Sequence, residues 1–182
     1  DLLGPKAREA GIEFSSRERF RRALIRIGQP PAAAKEAAPA LARAHMQGIA
    51  AATRFPADHA RVLDEVRARA KIAVITNFDD TATAYEILDR HGLLARVDRV
   101  VVSEAVGLRK PHPALVRIAL RELEVAARDA IMVGDNLLED VGAACAAGVT
   151  AVLGWSLPLR LGLLIAAAAG IAAGMLVERI QS

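Results

Sequence analysis

The chain has 182 residues, of which 53% are hydrophobic and 25% charged, a composition typical of one compact domain with a small appendage. Its 24 Lys and Arg residues stand against 21 Asp and Glu residues, which gives a net charge of +3, and only 3% of the residues are aromatic. These values exclude a concentrated basic arm and aromatic stacking platforms, and no Cys/His cluster has zinc-finger spacing. The sequence therefore does not predict nucleic-acid binding.

The first part of the chain, residues 5–70, mixes charged and apolar positions at helical spacing and contains no strand-like run. Ser15 or Ser16 is typical of a helix start, Gly28 before two prolines of a helix end, and Pro56 of another start. The spacing predicts helices over 15–27, 32–46 and 58–70. We expect an N-terminal helical subdomain.

The pattern changes at residue 71, where short apolar runs begin to alternate with helical segments. Predicted strands cover 71–75, 100–103, 130–133 and 150–153, and predicted helices cover 81–91, 113–125 and 137–147. This alternation requires right-handed crossovers, so it predicts an α/β fold with a Rossmann-like parallel sheet and helices on both faces. The run over 71–75 is expected to be a buried strand. Ligands bind beyond the carboxyl ends of such strands, where Thr76, Ser103 and Asp135 lie.

The strongest chemical signal is Val-Gly-Asp-Asn-Leu-Leu-Glu-Asp, in which Asp135 follows an apolar strand and Asp140 comes five residues later. A hard cation such as Mg²⁺ needs anionic oxygen ligands, and one or two carboxylates suffice when waters and a substrate phosphate complete the shell. Gly134 allows the backbone to turn beside a ligand. The alternative is that Asp135 begins a turn and Asp140 favours the positive end of the next helix.

A second element is the loop Gly-Leu-Arg-Lys-Pro-His-Pro, in which two prolines fix the backbone around Lys110. An ammonium group held on a stiff loop suits a phosphate site, because it neutralises charge on the substrate and on an attacking carboxylate. The alternative is a solvated lysine in an ordinary loop. His112 is more typical of a helix start or a surface position than of a base or ligand.

Thr76 and Asn77 form the third element at the end of the first predicted strand. Their hydroxyl and backbone N–H groups are suited to hold phosphate oxygens. The alternative is a capping cluster for the helix that begins near Thr81, a role that Asp79 or Asp80 fits well.

In this order, the three elements resemble the second, third and fourth motifs of the haloacid dehalogenase superfamily. The strings Ile-Thr-Asn-Phe-Asp, Val-Ser-Glu-Ala-Val-Gly and Val-Gly-Asp-Asn-Leu-Leu-Glu-Asp are similar to its subfamily with a helical cap inserted after the first strand. The resemblance covers residues 5–153. It implies a cap over 5–70 and an α/β core over 71–155.

The resemblance also implies a hydrolase that cleaves a small phosphorylated metabolite with Mg²⁺, through an aspartyl-phosphate. Thr76 and Asn77 would hold the phosphoryl group, and Lys110 would stabilise the nucleophile and the transferred phosphate. Asp135 would bind the metal directly, and Asp140 would support it directly or through water. Dehalogenases of the superfamily usually lack the Gly-Asp pair, which favours a phosphatase.

The superfamily's first motif, Asp-x-Asp-x-Thr after a strand, does not occur in the sequence. The nearest candidate is Asp1-Leu2-Leu3-Gly4-Pro5, in which Leu3 and Pro5 replace the second aspartate and the threonine. Asp1 or a residue upstream of it would be the nucleophile. The family's first strand is also the middle of its sheet, so we expect the strands at Ile72 and Ile131 to lack a shared neighbour. The alternative function is a catalytically incomplete domain with a binding or regulatory role.

The end of the chain differs from the family, because residues 161–177 contain no charged side chain. An apolar helix over 157–179 is predicted, either a C-terminal membrane anchor or an Ala-rich helix buried on the sheet or in a dimer seam. No signal peptide is visible at the start, so a cytoplasmic catalytic part is expected. The single cysteine, Cys145, excludes an internal disulfide and is expected to be a small buried residue.

Overall fold

The computed structural model describes residues 10–153. The chain divides into two compact units, Asp1–Arg109 and Lys110–Ser182. Asp1 and the apolar segment 157–179 lie outside the described residues, so the predictions made for them stay predictions.

The described part of the first unit begins with three helices, of which the first has the predicted caps, the second extends six residues beyond its predicted end and the third ends three residues before it. They are α1 (Ser16–Arg26), α2 (Pro31–Ala52) and α3 (Ala57–Arg67). The Ser15 side chain accepts a hydrogen bond from the Glu18 N–H at the start of α1, and Gly28, with φ +94°, follows its end. Helix α2 buries a residue at every fourth position, because these positions share one face: Ala34, Ala38, Ala42, Met46 and Ala50.

A two-stranded parallel sheet completes the described part of the first unit. The remaining elements are β1 (Ala73–Thr76), α4 (Thr81–Arg90), a 3₁₀ turn (Leu94–Arg96), β2 (Arg99–Val102) and the short α5 (Ser103–Val106). Strand β1 pairs with β2 so that Thr76 lies opposite Val102. Val101 and Val102 are buried, and the side chain of Ser103 follows them into the interior.

The second unit holds the other strand pair. Its described elements are α6 (Ala114–Leu123), a 3₁₀ turn (Ala127–Asp129), β3 (Ile131–Gly134), a π-helical turn (Leu137–Val141), α7 (Gly142–Ala146) and β4 (Thr150–Leu153). Strands β3 and β4 are parallel, with Ile131 opposite Thr150. The buried apolar residues of this unit are Leu115, Val116, Ala119, Ala143, Ala144 and Val149.

The α/β class with parallel strands, predicted from the alternating pattern, is confirmed. Among the described strands, β1 pairs with β2 and β3 with β4, and the Ile72 and Ile131 segments share no neighbour. The predicted helix over 137–147 divides into a π-helical turn and an α-helix, because the chain takes a wider turn at Asp140.

Two predictions about burial are wrong. The strand over 71–75 was expected to be buried, but β1 is only half-buried along its whole length. Strand β3 is more exposed, with Ile131 40% and Val133 60% exposed, since alternate side chains of a strand share one face and the described residues do not cover this one. Cys145 is exposed, because it lies on the outer side of α7 while Ala143 and Ala144 take the inner positions.

No helix among residues 10–153 is both long enough and apolar enough to cross a bilayer. The membrane anchor predicted from residues 161–177 falls outside that range.

Candidate functional site

Lys110 is a buried lysine that forms an ion pair with Asp140. Its side chain is 10% exposed, that of Asp140 is 7% exposed, and Nζ lies 2.6 Å from Oδ1. An ammonium group loses hydration when it is buried, so it needs a close anionic partner of this kind. The burial excludes the alternative of a solvated lysine in an ordinary loop. The ion pair holds the Lys110 ammonium in a defined place.

The other oxygen of Asp140 is held by the backbone. Oδ2 accepts a hydrogen bond from the Asn136 N–H at 3.0 Å, and the Asn136 side chain caps the π-helical turn by accepting from the N–H groups of Leu138 and Glu139. The carboxylate of Asp140 therefore connects the Lys110 ammonium to the backbone that directly follows Asp135. The backbone at residues 135–136 is fixed relative to the ammonium.

Gly134 is required at the end of β3 by its distance to Asp140. A Cβ at this position would overlap the Asp140 carboxylate and would lie 2.5 Å from the Asp140 Cβ. Close approach, and not only freedom to turn, is the reason why glycine occupies this position.

The side chains suited to a divalent cation are Asp135, which is exposed, and Asp140, which is buried. Residues 10–153 contain no cluster of three or more His, Cys, Asp or Glu side chains. Mg²⁺ does not need such a cluster, because one or two carboxylates, waters and a substrate phosphate complete its shell. Since Asp140 already accepts from Lys110 and Asn136, the exposed Asp135 is the better direct ligand, and Asp140 fits the supporting role.

Thr76 is the last residue of β1, and Asn77 begins the loop that leads to α4. The helix cap that the sequence predicted near Thr81 is formed by Asp80, whose side chain accepts from the Thr83 N–H at 2.9 Å at the start of α4. The phosphate-binding role of Thr76 and Asn77 stays a prediction. His112 has the helix-start role expected for it, because its Nδ1 accepts from the Ala114 N–H at 3.2 Å.

A buried polar network lies next to the Thr76–Asn77 loop. Ser103 is 0% exposed, and its Oγ accepts from the Phe78 N–H at 2.9 Å and donates to Glu13 Oε2 at 2.7 Å. The Glu13 side chain is 1% exposed and also accepts from Arg19 at 2.6 Å. Sequence reasoning placed Ser103 at a strand end but missed Glu13, since a single glutamate 90 positions earlier gives no local signal of this pairing.

Arg19 links the same network to Asp79. Its Nε lies 3.1 Å from Asp79 Oδ2, and the Asp79 carbonyl accepts from the Ser16 N–H at 2.6 Å. Burial raises the pKa of the Asp79 carboxyl above its ordinary value, the charge of Glu13 acts in the same direction, and the Arg19 guanidinium opposes both.

The sequence motifs and this geometry agree with a comparison against known families, in which the haloacid dehalogenase-like hydrolase model matches residues 5–153. The chain belongs to the haloacid dehalogenase-like hydrolase family. The match includes both units from residue 5 to the end of β4.

Curated members of the haloacid dehalogenase-like family resemble the chain over most of its length. It is 36% identical over 137 residues to a phosphoserine phosphatase of Thermus thermophilus, a match that covers 75% of the chain and 53% of that protein. It is 33% identical over 152 residues to a ribulose-1,5-bisphosphate 5-phosphatase of Halopiger xanaduensis, covering 80% of the chain and 62% of that protein. The chain thus spans less than two thirds of each of these relatives.

Solved structures of the family share its fold. A 2-haloacid dehalogenase from Pseudomonas syringae pv. Tomato is 25% identical, with a TM-score of 0.63 over 76% of the chain and 57% of that structure. A hydrolase of the superfamily's subfamily IA from Geobacter sulfurreducens is 26% identical, with a TM-score of 0.58 over 68% of the chain and 63% of that structure.

Proposed function

We propose that this protein is a Mg²⁺-dependent phosphatase that hydrolyses a small phosphorylated metabolite through an aspartyl-phosphate. The observation that carries the proposal is the buried Lys110–Asp140 ion pair, held at 2.6 Å beside the exposed Asp135. The names of two similar proteins, a phosphoserine phosphatase and a bisphosphate phosphatase, support the reaction class.

In this proposal, the second unit supplies the charges that the reaction needs. The Lys110 ammonium neutralises negative charge on the phosphoryl group and on the attacking carboxylate. Asp140 orients the Lys110 ammonium, and it holds the backbone after Asp135 in place. Mg²⁺, held by Asp135 with support from Asp140, would offset charge on the phosphate oxygens.

Thr76 and Asn77 are proposed to bind the phosphoryl group of the substrate, with a hydroxyl and a backbone N–H as donors. Asp1 or a residue upstream of it would be the nucleophile, and helices α1–α3 would form the cap that selects the substrate.

The direct test is hydrolysis of an aryl phosphate by the full chain with and without Mg²⁺. Asp135→Asn should abolish turnover, because an amide is a weaker ligand for a hard cation than a carboxylate. Asp129→Asn is the matched control, since Asp129 is an exposed aspartate of the same unit and should leave turnover unchanged. Equal turnover of the native chain and Asp135→Asn would contradict the proposal.

The second candidate is a domain that binds phosphate and metal without turnover. Calorimetric titration with orthophosphate and Mg²⁺, combined with the hydrolysis assay above, distinguishes the two. Binding that Lys110→Met abolishes, together with no hydrolysis, would support the second candidate.

A further inference from the structure

One of the hydrogen bonds that anchor the loop after β1 inside the first unit comes from the backbone N–H of Phe78. The Phe78 N–H donates to Ser103 Oγ at 2.9 Å, one residue after the proposed phosphate-binding pair Thr76–Asn77. A displaced Phe78 would therefore carry the donors of that pair with it. The orientation of the Ser103 hydroxyl decides how well this anchor holds.

Ser103 Oγ has one proton and two acceptors within reach. Glu13 Oε2 lies at 2.7 Å and the Phe78 carbonyl at 3.2 Å. The carboxylate is the stronger acceptor, so the proton points to Glu13 and a lone pair of Oγ faces the Phe78 N–H. Glu13 thus fixes a hydroxyl rotor that would otherwise turn toward the Phe78 carbonyl.

Glu13 is itself held rigidly. Its Oε1 accepts from Arg19 at 2.6 Å and from the Phe14 N–H at 3.1 Å, and its own N–H donates to the Gly107 carbonyl at 3.0 Å. A buried carboxylate with this set of partners has little freedom to reorient. Neither the sequence motifs nor the proposed chemistry gives Glu13 a direct part.

We propose that Glu13 is a positioning residue, which acts through the Ser103 hydroxyl on the Phe78 backbone and so sets the geometry of Thr76 and Asn77. The inference rests on the proposed function for its effect on phosphate binding. The effect of Glu13 on the hydrogen bond of the Phe78 N–H can be tested without phosphate.

Glu13→Gln is the sharpest perturbation, because it conserves volume and reverses one hydrogen bond. The Gln oxygen must face Arg19 and the Phe14 N–H, which are both donors, so its amide nitrogen faces Ser103. The Ser103 proton then has to turn to the Phe78 carbonyl. Ser103→Ala removes the acceptor of the Phe78 N–H altogether.

The experiment is a double-mutant cycle of Glu13→Gln and Ser103→Ala in the full chain, with two measurements on each variant. Amide hydrogen exchange at Phe78 should be about tenfold faster in each single variant, and the dissociation constant for orthophosphate with Mg²⁺ should rise by about the same factor. In the Ser103→Ala background, Glu13→Gln should add less than about twofold, because its route to Phe78 is gone.

Two controls distinguish an effect of Glu13 on Phe78 from a general loss of stability in the first unit. The Thr83 N–H, which donates to Asp80 at 2.9 Å in the same unit, should keep its exchange rate in all variants. Glu18→Gln is the matched control, since Glu18 pairs with Arg21 and Arg22 on α1 and should leave Phe78 and the phosphate affinity unchanged.

Additive effects in the cycle, an unchanged Phe78 exchange rate in Glu13→Gln, or an equal acceleration at Thr83 would each overturn the inference. If the native chain does not bind orthophosphate, the proposed function fails, and the exchange cycle at Phe78 still decides whether Glu13 positions that backbone.

Discussion

Replacing Gly134 by alanine tests whether close approach at the end of β3 maintains the Lys110–Asp140 pair. The added Cβ would lie 2.5 Å from the Asp140 Cβ, so Asp140 must move by about 1 Å to reach the 3.4 Å at which ordinary contact begins. Such a shift lengthens the 2.6 Å contact to Lys110 beyond hydrogen-bonding range and leaves a buried ammonium without its carboxylate.

The expected cost is about 3 kcal/mol in the free energy of unfolding, the lower end of what breaking a buried ion pair costs. Urea unfolding of the full chain, followed by circular dichroism, measures it. Gly48→Ala is the control: among the described residues no atom lies within 4 Å of its added Cβ, and it should stabilise helix α2 by about 0.5–1 kcal/mol.

A second comparison assigns the cause to Asp140. Because the Asp140 Cβ itself takes part in the overlap, only Asp140→Gly removes it, and Gly134→Ala should cost far less in that background. A free energy of unfolding for Gly134→Ala within about 1 kcal/mol of the native value would refute the reasoning. An unchanged cost in the Asp140→Gly background would refute it as well.

Three further changes test single interactions. Lys110→Met should weaken orthophosphate binding by at least about tenfold in calorimetric titration, because it removes the buried ammonium, whereas Arg128→Met, at an exposed site, should not. Burial raises the pKa of Asp79 above its ordinary 3.8, so the folded chain binds this proton at a higher pH than the unfolded chain does, and stability falls as the pH rises through that interval. In Asp79→Asn this decrease of the free energy of unfolding with pH, at most about 1.4 kcal/mol per pH unit, should disappear from urea unfolding measured between about pH 4 and pH 7. If the free energies of unfolding of the native chain and the variant changed in parallel with pH, the result would contradict the prediction. Asp80→Ala should lower the free energy of unfolding by about 1 kcal/mol through loss of the α4 cap, while the exposed control Asp89→Ala should change it by less than about 0.5 kcal/mol.

The order and type of the elements could be predicted because their signals are local. Ser15 and Gly28 mark the two ends of α1 through a side-chain cap and a positive φ, and both effects involve only neighbouring residues. The burial of the strands could not be predicted in the same way, since an apolar run has the same sequence pattern whether or not another element covers the strand. Val133 shows this at 60% exposure.

The candidate site, like the fold, could be predicted only where its signals are local in the sequence. Glycine, proline and carboxylate spacing pointed to Lys110, Asp135 and Asp140. The structure pairs Lys110 with Asp140 in a buried contact, and the roles of the three residues stay predictions. The contacts of Glu13 with Ser103 depend on chain segments 90 positions apart, and no spacing rule connects them. Long-range polar contacts of this kind become visible only when the fold is known.

The exposed side of β3 affects how the protein behaves at high concentration. Ile131 and Val133 form one apolar stripe of the strand, and Leu137 and Leu138, 60% and 78% exposed, extend apolar surface past its end. Surfaces of this type drive self-association as protein concentration rises, and strands are the segments through which chains most readily aggregate. Dilute, low-salt solutions are therefore the conditions in which the binding measurements above report on single molecules.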